Sequence, residues 1–537
     1  MSSVSTEGTI ATMAKYLFYL VAPMLLLLIV YNLFFHPLKS YPGPFLAKIT
    51  YGYGGYHAIT GLHHLNTYKN FMKYGPVYRE APNRLMFNTL TAVQQIYYNP
   101  NITKAQAYRH AGTPPRVNLF NVRDNAEHRR KRKVIGSIVS DKSLRSFSPV
   151  MIEQIDILLQ QLLKACQQGQ YVNMSVVFNR LGVDVVGHLA FGCALKTQTE
   201  TRNRLIPETM FSSIYLNNIF YTWPLLAHLS PIIRWSARKK VETFTGAVAR
   251  MIAERTLQPV DSKHDFYSVV NGDGGLHQDE VWSEALFFVL AGGSTVATSM
   301  CGAMFHLSRH ADAYRRLATE IRTTFTSGRS IQLGPLLASC AYLRAVIDES
   351  IRLTPPSPSP LWREPEVALS TTDQTFIVDG HVIPPGTEVG VHLWAILHDP
   401  EHFKDPFAFV PERWLPVEMG DEDEATEEEI EMMRETKAHM RRAHVVFGLG
   451  DRGCAGRSMA YMEASIAIAK IVWYFDFEKA AGDAGKLGCG RGGKYPWESP
   501  DQFQIFDVLG ADHDGPNMVF KPRGEYWKDL LSDSHQT

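Results

Sequence analysis

The spacing of apolar residues along the chain predicts a structure built mainly from α-helices. Residues 150–168 (VMIEQIDILLQQLLKACQQ) repeat apolar side chains every three or four positions, as one face of an amphipathic helix does. Alternation typical of strands is confined to short stretches such as GPVYREAPNRLMFN and QTFIVDGHVIPPGTEVGV, which glycine or proline interrupts. There is no internal repeat, and no linker divides the chain after its N-terminal part. The pattern therefore predicts one large domain, mainly α with small β-sheets (α+β).

The first long apolar run, residues 16–35, has twenty residues and no charge. A helix of about 20 residues spans the hydrocarbon core of a bilayer. A cleaved signal peptide is the alternative, but its apolar region is shorter and is followed by small residues. This run instead ends in two phenylalanines before the proline-rich HPLKSYPGP, and the lysines that follow favour a cytoplasmic domain. We predict an N-terminal tail (1–15), a transmembrane anchor (16–35), a proline-rich hinge (36–44) and a single domain (45–537).

A second apolar run, residues 285–307 (ALFFVLAGGSTVATSMCGAMFHL), is also long enough to cross a membrane. It contains Gly292 and Gly293, followed by Ser294 and Thr295. Small and hydroxylated residues weaken an ordinary helix in its middle and open a local groove or kink. We therefore predict a long helix buried in the core of the domain, with its groove facing a ligand.

Composition and charge narrow the class of protein. Hydrophobic residues make up 45% of the chain, and the formal net charge is zero, which excludes the basic surface of a nucleic-acid-binding protein. The six cysteines lie far apart without a CxxC pair, which argues against a disulfide framework and against a zinc site and fits a reducing compartment. Residues 421–435 contain nine acids in fifteen positions and are interpreted as a solvated surface insertion.

The loop FGLGDRGCAG, residues 447–456, places one cysteine among four glycines at the start of an apolar helix. Glycines let a backbone approach a flat ligand closely, and the N–H groups of a helix start favour the thiolate of Cys454 over the thiol. A single thiolate without a partner cysteine or histidine suits haem iron better than zinc. Taken alone, the loop leaves open a structural or redox-sensing cysteine.

The spacing FxxGxRxCxG resembles the haem-binding signature of the cytochromes P450, and three further segments are similar to motifs of that family, in the family's order: HRRKR, AGGST, and DESIR with FVPERW. The resemblance covers nearly the whole chain after the PGP hinge and is to membrane-bound microsomal enzymes of filamentous fungi. It implies the cytochrome P450 fold, preceded by one N-terminal transmembrane helix. It also implies haem b, with Cys454 as the axial ligand of the iron.

The resemblance assigns roles to further residues. The haem would lie against Phe447, Gly450 and Gly456, and its propionates would bind Arg452, Arg132, His128 and Arg363. Guanidinium groups suit carboxylates because they form two parallel hydrogen bonds. A lone histidine such as His128 is more often a surface or satisfied core residue.

Glu349 and Arg352 are three residues apart, so they share a helix face and can pair. In isolation such a pair is usually a surface pair. The resemblance adds Arg413 and implies a buried triad with a structural rather than a catalytic role.

The sequence departs from the family pattern at Ser294. The family carries an acid just before the threonine of the AGGST motif, and this chain has serine there. The resemblance implies that Thr295 serves oxygen binding, whereas the acid of the usual proton path is absent. We therefore expect protons to reach the site through Thr295 with help from solvent or from the substrate's own hydroxyl group.

Three functions follow as hypotheses. The first is a monooxygenase that oxidises an apolar small molecule in fungal secondary metabolism, with O2 and with NADPH electrons from NADPH–cytochrome P450 reductase. Cytochrome b5 is a further candidate partner, and the location would be the endoplasmic reticulum membrane, single-pass, with the catalytic domain in the cytoplasm. The second is oxidative phenol coupling by the same haem without oxygen insertion. The third, from another class, is a haem-thiolate isomerase or sensor that needs no reductase.

Overall fold

Helices dominate the structure, a computed structural model that describes residues 6–111, 117–193, 195–259, 265–270, 275–365, 375–416 and 426–531. The α-helices in these ranges are α1 Thr6–Val30, α2 Phe45–Ile49, α3 Gly52–Ile59, α4 His63–Tyr74, α5 Leu90–Tyr97, α6 Asn125–Ile138, α7 Asp141–Gln167, α8 Met174–Phe191, α9 Leu205–Thr222, α10 Ser230–Ser236, α11 Arg238–Thr256, α12 Phe266–Val270, α13 Gln278–Leu307, α14 Ala311–Thr324, α15 Pro335–Ser339, α16 Ala341–Leu353, α17 Leu393–Leu397, α18 Glu427–Ala443 and α19 Arg457–Tyr474.

The strands are short and form small sheets at the edge of the helical body. They are β1 Val77–Ala81, β2 Arg84–Phe87, β3 Ile102–Lys104, β4 Val172–Asn173, β5 Arg363–Pro365, β6 Ile377–Val378, β7 His381–Val382, β8 Glu388–Val391, β9 Phe475–Lys479, β10 Phe506–Val508, β11 Gly510–Asp512 and β12 Asn517–Pro522. The largest sheet has the order β1-β2-β8-β5-β3, in which β2 and β8 are parallel and the other pairs antiparallel. Strands β4, β12 and β9 form a second sheet in that order, and the pairs β6-β7 and β10-β11 are hairpins. The predicted mainly helical architecture with small sheets is confirmed.

The N-terminal helix is longer than the apolar run that predicted it. It begins at Thr6, within the predicted tail, and continues through Val30 into a π-helical turn, Tyr31–Phe35. Apolar side chains of this segment, such as Leu27 and Phe35, are exposed. By length and composition, two other helices in the described ranges could span a membrane, Met174–Phe191 and Asp279–Leu307, but most of their apolar residues are buried inside the protein.

The predicted core helix over residues 285–307 is part of α13, which packs along α8. Glycines make this approach possible. A Cβ at Gly182 of α8 would lie 2.3 Å from the carbonyl oxygen of Gly293, and a Cβ at Gly292 would lie 2.7 Å from a methyl group of Val186. The small residues of α13 therefore serve close helix packing as well as the cavity described below.

The acidic segment is partly a helix. Residues 421–425 lie outside the described ranges, and α18 begins after Thr426, whose hydroxyl accepts from the backbone N–H of Glu429 while the Glu429 carboxylate accepts from that of Thr426. The described part, 426–435, is almost entirely exposed, as predicted.

Glu463 in α19 gives a testable consequence of the packing. Its side chain is fully buried, and neither carboxylate oxygen has a hydrogen-bond partner in the described part of the chain. Burial raises the pKa of Glu463 from 4.5 to about 8. Between these values the unfolded chain has lost the proton and the folded chain keeps it, so this group costs about 1.4 kcal/mol of stability per pH unit as pH rises.

We therefore expect Glu463→Gln to be more stable than the parent protein at pH 8, by a few kcal/mol at most, and about equal to it at pH 5. Urea unfolding followed by circular dichroism at both pH values measures the difference. Glu478→Gln, at an exposed position, is the matched control and should change neither value. A parallel pH dependence for Glu463→Gln and the parent would contradict the assignment.

Candidate active site

A cavity of about 620 Å³ lies between α13 and the loop that precedes α19. Residues 290–292, 294 and 295 contribute one wall, and residues 446–448 and 452–456 contribute another, whereas Gly450 does not line the cavity. Aromatic rings close another side, where Phe120 and Phe287 stack with centroids 5.6 Å apart. The cavity is thus apolar over much of its surface, with the cysteine loop at one end.

The glycines of the loop explain how the backbone reaches the cavity. Gly450 has φ +64°, and a Cβ there would lie 2.2 Å from the carbonyl oxygen of Tyr97, so no other residue fits without displacement. The N–H of Cys454 donates to the carbonyl oxygen of Phe447 at 2.7 Å, which closes the loop. A Cβ at Gly456, by contrast, would meet nothing within 4 Å. The cavity surface at Gly456 is therefore open to a flat ligand.

Cys454 is the exposed cysteine among the six, and it lines the cavity, so its sulfur faces that space rather than the outer surface. Burial raises the pKa of the Cys454 thiol, while the N–H of Gly456 and the charge of Arg132 lower it by less. The net direction is opposite to the one expected from the helix start alone. A cation that binds the sulfur directly would favour the thiolate form in this site.

Four basic side chains lie on the same side of the protein as the cysteine loop: Lys104, Arg132, Arg363 and Arg452. Lys104, Arg132 and Arg452 line the cavity, whereas Arg363 is buried behind the wall and donates to the hydroxyl of Tyr108 at 3.1 Å. Arg132 donates to the carbonyl oxygen of Gly453 at 2.8 Å. Within the described residues, none of the four forms an ion pair with a carboxylate.

The crowding of these cations affects their protonation. Burial, and then the charge of Arg363, lowers the pKa of Arg452 to about 10. Burial and Arg452 lower the pKa of Lys104 well below its ordinary value. Burial and the same cations lower the pKa of His128 to about 3, so His128 is neutral near pH 7. A positive region whose hydrogen-bond partners are neutral and include no carboxylate favours an anionic ligand.

These residues fit an iron porphyrin with carboxylate substituents. Cys454 would hold the iron through its sulfur, and the open surface at Gly456 would accept the flat ring. Arg132 and Arg452, with Lys104, would hold the carboxylates and balance the buried positive charge. Neutral His128 would contribute a hydrogen bond rather than a charge. Arg363 would act through Arg452 and Tyr108, because it does not line the cavity.

The structure brings Glu349, Arg352 and Arg413 together behind the cysteine loop. Arg352 binds both carboxylate oxygens of Glu349, at 2.8 and 2.9 Å, and Arg413 donates at 3.1 Å. Glu349 and Arg352 are completely buried. Burial would raise the pKa of Glu349, but Arg352 and Arg413 hold it below its ordinary value. The group does not line the cavity, so it stabilises the scaffold and touches no ligand there.

Ser294 and Thr295 both line the cavity at the middle of α13. Each hydroxyl donates one turn back along the helix, from Ser294 to the carbonyl oxygen of Leu290 at 3.2 Å and from Thr295 to that of Ala291 at 2.7 Å. Both oxygens therefore keep acceptor capacity toward the cavity. No carboxylate lines the cavity in the described part of the chain, which agrees with the departure noted at Ser294.

Sequence reasoning missed two residues of the basic region. Lys104 ends strand β3 and donates to the carbonyl oxygens of Leu119 and Phe120 at 2.9 and 2.6 Å, and Tyr108 supports Arg363. Neither residue lies in a recognisable motif. Lys104 lies in the mostly polar stretch NPNITKAQAYRH, so the sequence gives no signal of its burial.

The haem-thiolate proteins are the class that this fold and site define. A sequence model of the family described as Cytochrome P450 matches residues 43–487. The chain is 30% identical over 544 residues to cytochrome P450 monooxygenase apf7 of Gibberella fujikuroi, which covers 94% of this chain and 97% of that protein.

Two further relatives are cytochrome P450 monooxygenases of fungi. The protein poxM of Penicillium oxalicum is 32% identical over 477 residues, covering 85% of this chain and 87% of the relative. AKT7 of Alternaria alternata is 29% identical over 511 residues, covering 92% and 94%. The chain belongs to the cytochrome P450 family and is a haem-thiolate oxidoreductase.

Proposed function

We propose that this protein is a membrane-anchored monooxygenase of fungal secondary metabolism that oxidises an apolar small molecule with O2 and electrons from NADPH. The observation that carries the proposal is the single cysteine facing a largely apolar cavity beside an unpaired cationic region. Bound haem supplies the one-electron and O2 chemistry. The protein binds the substrate, excludes water and controls protons at Ser294 and Thr295.

The cavity supports an apolar, aromatic or terpenoid substrate. Two segments distant in sequence line the cavity, Asn118, Leu119 and Phe120 from residues 117–124, and Ile214 and Asn217 from residues 210–226. Asn217 accepts from Arg234 at 3.1 Å. Asn218 faces elsewhere and donates to the carbonyl oxygen of Asp507. Asn118 and Asn217 are therefore the amides available to orient a substrate.

Thr295 is the residue through which we propose that protons reach the site. We expect Thr295→Ala to keep NADPH oxidation near the parent rate while product formed per NADPH falls several-fold, because reduced oxygen is released before transfer. Paired measurements of NADPH consumption, peroxide and product test this. Ser299→Ala removes a cavity-lining hydroxyl one turn further along α13 and should leave coupling unchanged. Unchanged coupling in Thr295→Ala would remove Thr295 from the path.

A basic depression of the surface supports electron delivery by NADPH–cytochrome P450 reductase, with cytochrome b5 as a candidate second donor. It lies on the outer side of the cysteine loop and has a volume of about 510 Å³. Four arginines line it: Arg344, Arg441, Arg442 and Arg457. A positive concave surface of this kind fits an acidic partner and increases the rate of encounter.

Exposed apolar side chains support a single-pass anchor in the endoplasmic reticulum membrane. Those of the N-terminal helix include Leu20 and Leu27, and a second exposed group lies around α10 with Leu225, Ile232 and Trp235. Apolar surface of this extent is costly in water and is stabilised by lipid. The catalytic domain would then face the cytoplasm, where its free cysteines remain reduced.

Oxidative phenol coupling is the second candidate, and Ser294 is the observation that favours it, because a phenol supplies the acidic hydroxyl that the chain lacks. Mass spectrometry of metabolites from a host with and without this gene decides between the two. A compound lacking one oxygen would accumulate in the gene-less host under the first proposal. A phenolic monomer of a missing dimer would accumulate under the second. NADPH-dependent turnover with added reductase would exclude a reductase-independent isomerase or sensor as the main activity.

A further inference from the structure

Three buried side chains from distant parts of the sequence meet beside the β1-β2-β8 sheet, outside the haem cavity. His63 begins α4, His392 precedes α17 and Asp507 lies in β10. One ligand atom from each lies within 4.8 Å of the other two. Oδ2 of Asp507 is 3.9 Å from Nδ1 of His63 and 3.7 Å from Nε2 of His392. All three side chains are at most 4% exposed.

The polar atoms at the centre of this cluster are not paired by hydrogen bonds. Both ring nitrogens of His392 and Oδ2 of Asp507 have no hydrogen-bond partner in the part of the chain that the structure describes. The other oxygen of Asp507 accepts from the hydroxyl of Ser359. Nε2 of His392 and Oδ2 of Asp507 face each other 3.7 Å apart. Buried groups without a partner cost about 1–3 kcal/mol each, so these two favour a ligand between them.

His63 is oriented as a metal-binding histidine is. Its Nε2 is 3.2 Å from Oε1 of Glu80. If Nε2 donates to that carboxylate, Nδ1 carries the lone pair and faces Asp507. A carboxylate that accepts from the outer nitrogen of a ligating histidine fixes its tautomer and is a recurrent feature of metal sites.

The charges of the region also favour a cation. Three carboxylates are buried here, Glu80, Glu388 and Asp507, and Arg84 pairs with Glu388 at 2.6 Å. Among the described residues, no lysine or arginine forms an ion pair with Glu80 or Asp507. Two buried carboxylates beside imidazole rings therefore have no lysine or arginine partner, an arrangement that one divalent cation would complement.

We propose that His63, His392 and Asp507 bind one zinc ion, with Glu80 orienting His63. Zinc binds imidazole nitrogen and carboxylate oxygen at about 2.0–2.2 Å in tetrahedral geometry, so two ligand atoms on one ion lie about 3.3–3.6 Å apart. The His–Asp distances of 3.9 and 3.7 Å are a few tenths of an ångström longer, and the third pair lies within 4.8 Å. Binding would therefore draw the three side chains together, the two imidazoles by up to about 1.5 Å. The scattered cysteines argue only against thiolate ligands, and this site uses none.

The ion would have a structural role. Asp507 accepts through its backbone oxygen from Asn218 of α9, and the chain that follows it, Leu509 and Gly510, lines the haem cavity. The ion would therefore join this wall of the cavity, through His63, to helix α4. It would stabilise the wall and touch neither haem nor substrate.

The test uses the full-length, haem-loaded protein, purified without a histidine tag. We expect about one zinc per haem by elemental analysis. We expect X-ray absorption at the zinc edge to show nitrogen and oxygen neighbours, including imidazole, at about 2.0–2.1 Å and no sulfur. His392→Gln should lose the zinc and keep the haem. His398→Gln is the matched control, because His398 is buried at the other end of α17 and is not part of the cluster; it should keep both.

Glu80→Gln provides a second variant that keeps all three ligands. It should lower zinc affinity about 10–100-fold in a competition with a chelator. Absence of zinc both from the purified protein and after addition of one equivalent would overturn the proposal. Zinc bound with sulfur neighbours, or bound equally by the parent and by both His392→Gln and Glu80→Gln, would identify an adventitious ion only and would overturn it as well. If His392→Gln fails to fold, the X-ray absorption of the parent protein at the zinc edge and the zinc affinity of Glu80→Gln still test the proposed site.

Discussion

Cys454→Ala is expected to lose the thiolate-type spectrum of the reduced, CO-bound protein and to reduce oxidation of any substrate to background. Cys454 supplies the sulfur that faces the cavity, and among the described residues no other cysteine lines the cavity. The thiolate-type spectrum requires a sulfur anion bound to the iron, and alanine at this position supplies none. Spectra of purified protein and turnover with added reductase measure the two losses.

Cys166→Ser is the matched control for this variant, since Cys166 is a half-buried cysteine at the end of α7, outside the cavity. It should keep both the spectrum and turnover. A thiolate-type spectrum that persists in Cys454→Ala would mean that another residue binds the iron. In that case the loop 447–456 would not hold haem iron through Cys454.

Glu349→Ala is expected to destabilise the fold by about 3–5 kcal/mol, because it leaves the buried charges of Arg352 and Arg413 without a carboxylate. A loss of this size is a large part of the stability of a typical domain, so little folded, haem-containing protein should be recovered. Thermal unfolding at fixed haem content, or the yield of holoprotein where unfolding is irreversible, measures the effect.

The ion pair of Arg344 and Asp348 on the same helix is the matched control. Its arginine is about half exposed, and Arg344→Ala should cost no more than about 1 kcal/mol. Arg352→Lys adds a graded test, because lysine keeps the charge of Arg352 but cannot bind both oxygens of Glu349. Equal effects of Glu349→Ala and Arg344→Ala would contradict a special role for the buried group.

The parts of the site that lie close together in sequence were predictable. The conformation of the loop 447–456 depends on residues within the loop, because the positive φ at position 450 requires glycine. The helix over 285–307 was predictable from its apolar length. A single sequence does not reveal that Gly292 and Gly293 of this helix also allow close packing against α8. The extension of α1 back to Thr6, the first residue that the structure describes, was not predictable because the residues before 16 lack an apolar run.

Features assembled from distant segments were not predictable. Lys104 joins the basic region because strand β3 ends beside the cavity, and only the tertiary fold places it there. His63, His392 and Asp507 are far apart in sequence and follow no ligand spacing. The burial of Glu463 likewise follows from the helices that surround α19, because the apolar run in which it lies does not show on which side a single glutamate is placed.

The unpaired cations beside the cysteine loop have a consequence for the life of this protein in the cell. A newly made chain without cofactor holds Lys104 buried, and Arg132 and Arg452 half-buried, with no carboxylate to balance them, so we expect its native state to be less stable than that of the haem-bound protein. Chaperones and proteases remove such chains continuously. The supply of haem from biosynthesis should thus set how many molecules survive after translation, whereas each surviving molecule works at its full rate.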